Sequence, residues 1–188
     1  MTTPTALIPA QAAARLDDYT VVDVRTPGEY ASGHLPGAHN VPLDHLRAAL
    51  PALRTAAARG TLLIVCASGN RSTTACTDLA AAGIPATTLT GGTTAWAGEG
   101  HPLHRPDNAK AVWPMERQVR LAAGSLVVLG LAAGTRWRPA RRLSAAIGAG
   151  LVFSAATNTC GMAAALARLP HNQPRTGDLH ATLRALQG

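Results

Sequence analysis

Charge is scarce in this chain. Of its 188 residues only 14% are Asp, Glu, Lys or Arg and 3% are aromatic, against 47% hydrophobic. So apolar a composition is unusual for a protein wholly surrounded by water, and it points to a part in contact with lipid. Cysteine is scarce too: Cys66, Cys76 and Cys160, with no CxxC pair. This excludes a disulfide framework and fits a reducing compartment. The seven histidines lack metal-ligand spacing, so neither a metal nor another cofactor is expected. The net charge of +7 comes without a nucleic-acid motif or aromatic–basic interleaving, so no nucleic-acid partner is expected. The arginines crowd instead around apolar C-terminal segments, which suits lipid headgroups. Met1–Gln11 has no basic start and no long apolar core, so the first hundred residues are expected to stay in the cytoplasm.

Short apolar runs alternate with helical patterns over the first hundred residues. Thr20–Val24, Thr61–Val65 and Ala86–Leu89 read as strands. A short helix follows Ile8-Pro9, another covers Asp44–Arg59 with an interruption at Pro51, and a third covers Ser72–Ala82 before Gly83 and Pro85. This alternation implies an α/β fold, an open parallel sheet with helices on both faces. Ligands of such sheets bind at the carboxyl ends of strands.

One strand end carries the chemistry. After Leu62-Leu63-Ile64-Val65 comes Cys66-Ala67-Ser68-Gly69-Asn70-Arg71-Ser72. A lone cysteine between strand and helix lies where backbone N–H groups can converge on one sulfur. With Arg71 adding positive charge, such a setting favours the nucleophilic thiolate. The plainer reading is a small buried hydrophobe ending a core strand. A polar, Gly-containing loop with a guanidinium is not what a core position needs. Cys76, one turn beyond Ser72, reads as a buried helix residue rather than a resolving thiol.

The Cys66–Ser72 loop resembles the active-site loop of the rhodanese sulfurtransferase family. Two further stretches carry the same resemblance. One is Val21-Val22-Asp23-Val24-Arg25-Thr26-Pro27-Gly28-Glu29-Tyr30 with Gly33-His34-Leu35-Pro36-Gly37-Ala38-His39-Asn40-Val41-Pro42. The other is Thr90-Gly91-Gly92-Thr93-Thr94-Ala95-Trp96 with Gly100-His101-Pro102-Leu103. The resemblance implies that Cys66 carries a persulfide. Related cysteine phosphatases use Cys-x5-Arg to wrap a phosphate, whereas Cys66 to Arg71 is Cys-x4-Arg. The tighter ring suits a terminal sulfur better than a tetrahedral oxyanion. The amides of Ala67, Ser68, Gly69, Asn70, Arg71 and Ser72 are expected to hold the anionic persulfide, with Arg71 orienting the donor. Asp23 and Arg25 are expected to brace the loop. Gly69 is expected to permit a backbone angle that other residues avoid.

Beyond residue 104 the composition changes. Residues 105–114 read as a linker with Pro106, Asp107-Asn108 and Pro114. Leu121–Thr135 and Leu143–Ala167 contain no charge. The second is long enough to span a bilayer. The first is about 22 Å as a helix, and spans if extended through Val119 and Arg120 with snorkelling arginines. Two transmembrane helices, over about 119–136 and 143–167, are therefore expected within a hairpin of residues 115–170, with a polar tail over 171–188. Both segments are apolar all round, unlike soluble amphipathic helices. Trp113 and Trp137 flank the first, as interfacial aromatics do. Gly130 and Gly134 form GxxxG, so a homodimer through the hairpin is one expected partner besides lipid. Met115-Glu116-Arg117-Gln118-Val119, Gly148–Phe153, Cys160-Gly161-Met162-Ala163 and Leu169-Pro170-His171-Asn172 resemble the two-helix domain of YgaP-type inner-membrane rhodaneses. That implies a multi-pass protein of the bacterial inner membrane, its rhodanese domain cytoplasmic. Charge does not fix the orientation: the turn Arg136–Arg142 between the two segments has four arginines, and Lys110, Arg117, Arg120, Arg168 and Arg175 lie opposite.

Two functions compete. In one, the chain is a thiosulfate sulfurtransferase that passes sulfur from a small anionic donor to cyanide or a thiol. In the other, it is a membrane-tethered redox or nitrosative thiol sensor or binding module with little turnover. A helical hairpin conducting a small anion would need oligomers, and Asn158 reads as an interhelical hydrogen bond rather than a pathway residue.

Overall fold

The computed structural model describes residues 5–105, 113, 115–157, 161–169, 172 and 176–188. Cys160, Asn158 and most of the expected linker lie outside the described residues. The chain divides into two compact units, Met1–Val112 with Pro174–Gly188, and Trp113–Gln173.

The first unit is a five-stranded sheet of β1 (Thr5–Leu7), β2 (Tyr19–Asp23), β3 (His39–Asn40), β4 (Thr61–Val65) and β5 (Ala86–Leu89). Its order is β1-β5-β4-β2-β3 and every pairing is parallel. The helices are α1 (Pro9–Ala13), α2 (Pro27–Ala31), α3 (Leu46–Arg59), α4 (Asn70–Ala81) and α5 (Gly92–Gly98). The central strand β4 shows why the sheet needs two covers. Leu62 and Ile64 join a core with Leu53, Ala75 and Leu79 of α3 and α4. Leu63 and Val65, one step out of phase, join Ala12, Leu35 and Trp96. Strand side chains alternate between faces, and each fully buried Leu or Ile contributes about 1.5–3 kcal/mol.

Three expectations change. The helix expected to break at Pro51 runs unbroken from Leu46 to Arg59 after a short 3-10 turn at Leu43–His45. Pro51 forgoes one bond to the Arg47 carbonyl, and the buried stripe Leu46, Ala49, Ala52, Leu53 and Ala56 holds the helix through it. The helix after Cys66 begins at Asn70, two residues earlier than expected, on a left-handed Gly69 (φ +100°). The polar tail holds a helix, α9 (Thr176–Gln187), after helices α6 (Met115–Ala133), α7 (Pro139–Thr157) and α8 (Gly161–Ala167) of the second unit. α9 belongs to the first unit and packs on α3. Leu186 is buried in the core cluster and Leu183 packs against it. Arg59 donates to the carbonyls of Leu186 and Gln187 at 2.7 and 2.8 Å, a cation closing the helix C-terminus.

In the second unit α6 and α7 pack as a hairpin. Ser144 Oγ donates to the Val127 carbonyl at 3.0 Å. Gly130 and Gly134 admit α7: a Cβ on Gly130 would run into Ser144, and one on Gly134 into the Arg141 stem. The GxxxG pair is thus used within the chain. Leu126, Val128, Leu129, Leu131, Val152 and Phe153 are exposed, an apolar surface that calls for an apolar surrounding. Among the described residues no single helix is long and apolar enough to cross a membrane. α6 spends its first turns on Arg117 and Arg120 and α7 on Arg141 and Arg142. The segment expected as one helix over 143–167 is described as α7 and α8, with 158–160 outside the described residues.

Candidate active site

Cys66 follows the last residue of β4 and is fully buried. The Gly69 N–H reaches its Sγ at 3.1 Å and the Ser72 N–H at 3.4 Å. The Ser72 hydroxyl lies 3.5 Å from the same sulfur. The left-handed Gly69 makes this possible, because it turns the chain into α4 within three residues of the cysteine. Donors converging on one sulfur are the arrangement that anionic sulfur requires. Ser68 and Asn70 are exposed on the loop's outer side.

The loop's carbonyls are held away from the sulfur by the next βα turn. Thr93 N–H donates to the Cys66 carbonyl at 2.8 Å and Thr94 N–H to the Ala67 carbonyl at 3.0 Å. That approach depends on Gly92, whose φ is +59° and whose added Cβ would collide with the Cys66 carbonyl oxygen. The stretch around Gly91-Gly92 is thus a support of the loop rather than a distant signature.

Arg71 is brought to Glu29, a residue whose role the motif alone does not show. Its two terminal nitrogens donate to the two carboxylate oxygens of Glu29, each at 2.8 Å. Glu29 is buried, at 2% exposure. Its Oε2 also accepts from Thr26 N–H at 3.1 Å and Thr26 Oγ1 at 2.9 Å. The signal was in the sequence: Thr26-Pro27-Gly28-Glu29 is a capping box with proline at the first helical position. Arg71 therefore braces the loop against α2.

Asp23 and Arg25, expected to brace the loop, pair with each other and brace a different place. Arg25 Nη2 reaches Asp23 Oδ2 at 2.6 Å and the Gly33 carbonyl at 2.7 Å. Asn40 Nδ2 donates to the carbonyls of both Asp23 and Arg25. The pair fixes the turn after α2 and the β2–β3 edge, while Val24 N–H ties that edge to the Val65 carbonyl just before Cys66. Cys76 lies buried on α4, and burial pushes its thiol up to about 12, with the nearby Cys66 adding to the rise. It is a core residue.

The rhodanese-like domain family matches residues 8–99, and the transmembrane domain of YgaP-like inner membrane proteins matches residues 112–175. A sulfurtransferase of Allochromatium vinosum is 36% identical over 102 residues, 52% of this chain and 90% of that protein. An uncharacterized protein of Synechocystis sp. is 38% identical over 159 residues, 84% of this chain and 86% of that one. The crystal structure of a rhodanese-related protein from Thermoplasma volcanium superposes with a TM-score of 0.51 at 29% identity, covering 54% of this chain and 99% of its own. The chain belongs to the rhodanese-like family of sulfurtransferases, in the form whose rhodanese-like domain is followed by a YgaP-like transmembrane domain.

Proposed function

We propose that this chain moves sulfane sulfur from thiosulfate, or a donor like it, to cyanide or a thiol, through a persulfide on Cys66. The observation that carries the proposal is the convergence of the Gly69 and Ser72 amides on Cys66 Sγ at the end of β4. The Cys66 thiolate attacks the outer sulfur of thiosulfate. The bond between that sulfur and the sulfonate breaks, sulfite leaves with the electron pair, and Cys66–S–S⁻ remains. Cyanide then takes the outer sulfur as thiocyanate and restores the thiolate. With a thiol acceptor the product is its persulfide. The loop amides hold the negative charge on sulfur in both half-reactions. Arg71, with its charge shared with Glu29, keeps the loop in shape and adds positive potential for an arriving anion.

The reading places this enzyme on the cytoplasmic face of a bacterial inner membrane, held by two crossings. α9 supports an even number of crossings, because it follows the second unit in sequence and yet packs on α3 of the first. Both ends of the membrane segment then lie on one side.

Steady-state thiocyanate formation tests the chemistry: parallel double-reciprocal lines with thiosulfate and cyanide as varied substrates are expected. Absent turnover with every donor and acceptor tried would favour the sensor or binding-module reading. Retention of the full-length chain by membranes in alkaline carbonate tests the anchoring, and release would make the hairpin a peripheral element.

A further inference from the structure

A second hydroxyl stands behind the one that touches the sulfur. Ser72 Oγ lies 3.5 Å from Cys66 Sγ, 2.9 Å from the Gly69 carbonyl oxygen and 2.7 Å from Thr88 Oγ1. Thr88 is buried on β5. Its backbone is fixed on both sides, paired with Ile64 of β4 and Ala6 of β1. A β-branched side chain on such a strand has few rotamers. A serine hydroxyl has one proton and two lone pairs, so Ser72 cannot donate to three acceptors at once. We infer that Thr88 is a positioning residue: its hydroxyl donates to Ser72 Oγ and leaves the single Ser72 proton free to turn between the Gly69 carbonyl and the Cys66 sulfur. The inference rests on Cys66 being the sulfur carrier.

When Cys66 is a neutral thiol, S–H donates to Ser72 Oγ, Ser72 O–H donates to Gly69, and Thr88 O–H donates to Ser72 Oγ. When the sulfur is anionic it has no proton to give, and the Ser72 O–H turns to it. The Gly69 carbonyl is not orphaned by that turn. It still accepts from Thr73 N–H at 3.0 Å and Thr73 Oγ1 at 2.9 Å. Every buried group therefore keeps a partner in both states, and the turn avoids the penalty of an unmade buried hydrogen bond. The Thr88 donor holds in both states and polarises the Ser72 O–H that faces the anion. A valine at 88 keeps the shape and removes that donor.

The other ionisable groups near this corner are held in ion pairs or buried. Arg71 of α4 is paired with Glu29 of α2, Asp23 with Arg25 at the end of β2, and Cys76 of α4 has its thiol pushed to about 12 by burial.

The experiment is the pH profile of Cys66 alkylation by iodoacetamide in the full-length protein, read by mass at that residue. No sulfur donor enters the assay, so failure of the sulfurtransferase reading and failure of this inference show separately. Thr88→Val should move the half-maximal pH upward by about half a unit, the size of a partial hydrogen-bond loss. Thr88→Ser, which keeps the hydroxyl, should restore the wild-type profile, a rescue that a purely packing role would not give. Ser72→Ala should move the profile at least as far, and Thr88→Val on top of Ser72→Ala should add nothing. If Thr88→Val does not fold, Thr88→Ala is read in its place against the same Thr88→Ser control. A hydroxyl-free variant with the wild-type profile, or shifts of the two sites that add, would overturn the inference.

Discussion

Both terminal nitrogens of Arg71 meet both carboxylate oxygens of Glu29 at 2.8 Å, joining the cysteine loop to the first turn of α2. A lysine cannot make this fork. Arg71→Lys is expected to slow thiosulfate turnover roughly tenfold or more, near 1.4 kcal/mol. Glu29→Gln should do the same and lower stability by about 3 kcal/mol, the low end for breaking a buried pair, since Arg71 keeps 21% side-chain exposure. Because the two act as one brace, the double variant should be little worse than either single one. Additive kinetic losses would mean that Arg71 also acts apart from Glu29.

Gly92 tests whether the βα turn after β5 shapes the cysteine loop. Gly92→Ala puts a methyl where the Cys66 carbonyl and the Ala67 backbone already lie. It also forces alanine to a φ of +59°. A stability loss of about 1–3 kcal/mol is expected, with turnover falling at least as much as in Arg71→Lys. Wild-type kinetics at a temperature where the variant is folded would separate the turn from catalysis.

The docking of α9 is tested at its anchor. Leu186 is 1% exposed in the core cluster with α3, and Leu186→Ala should cost about 2–5 kcal/mol on thermal unfolding of the first unit. Unchanged melting would place α9 off the domain. The same packing predicts that a fragment ending at Arg105, which lacks α9, melts lower than the full chain while keeping Cys66 reactive.

Burial holds His34 and His39 below the ordinary histidine value of 6.5. Between that value and the lower folded one, the unfolded chain binds more protons than the folded chain. Their contribution to stability is therefore complete above about pH 6.5 and is lost as pH falls through the folded values. Thermal midpoints should drop from pH 7.5 toward pH 5, less so for a His34→Asn variant. A midpoint that rises on acidification would contradict the assignment.

The alternation of β4 and the cysteine at its end were legible because strand period and loop composition are local. What the sequence hides is non-local. The capping box Thr26–Glu29 could be read from sequence, but its carboxylate meets Arg71 forty-two residues later. The Leu179, Leu183 and Leu186 spacing in the tail was visible too. A segment after a membrane domain gives no local sign that it folds back on α3. At Pro51 the local cost is plain in the sequence, whereas the stripe that overrides it becomes decisive only against β4.

The central claim is that Cys66 carries the transferred sulfur, and intact-protein and peptide mass spectrometry test it most directly. Thiosulfate should add one sulfur, about 32 Da, to Cys66, by attack of its thiolate on the outer sulfur. Cyanide should remove it. Cys66→Ser should abolish the adduct, while Cys76→Ser and Cys160→Ser should leave it in place. An adduct that persists in Cys66→Ser, or a wild-type protein that gains no mass under any sulfane donor, would contradict the account.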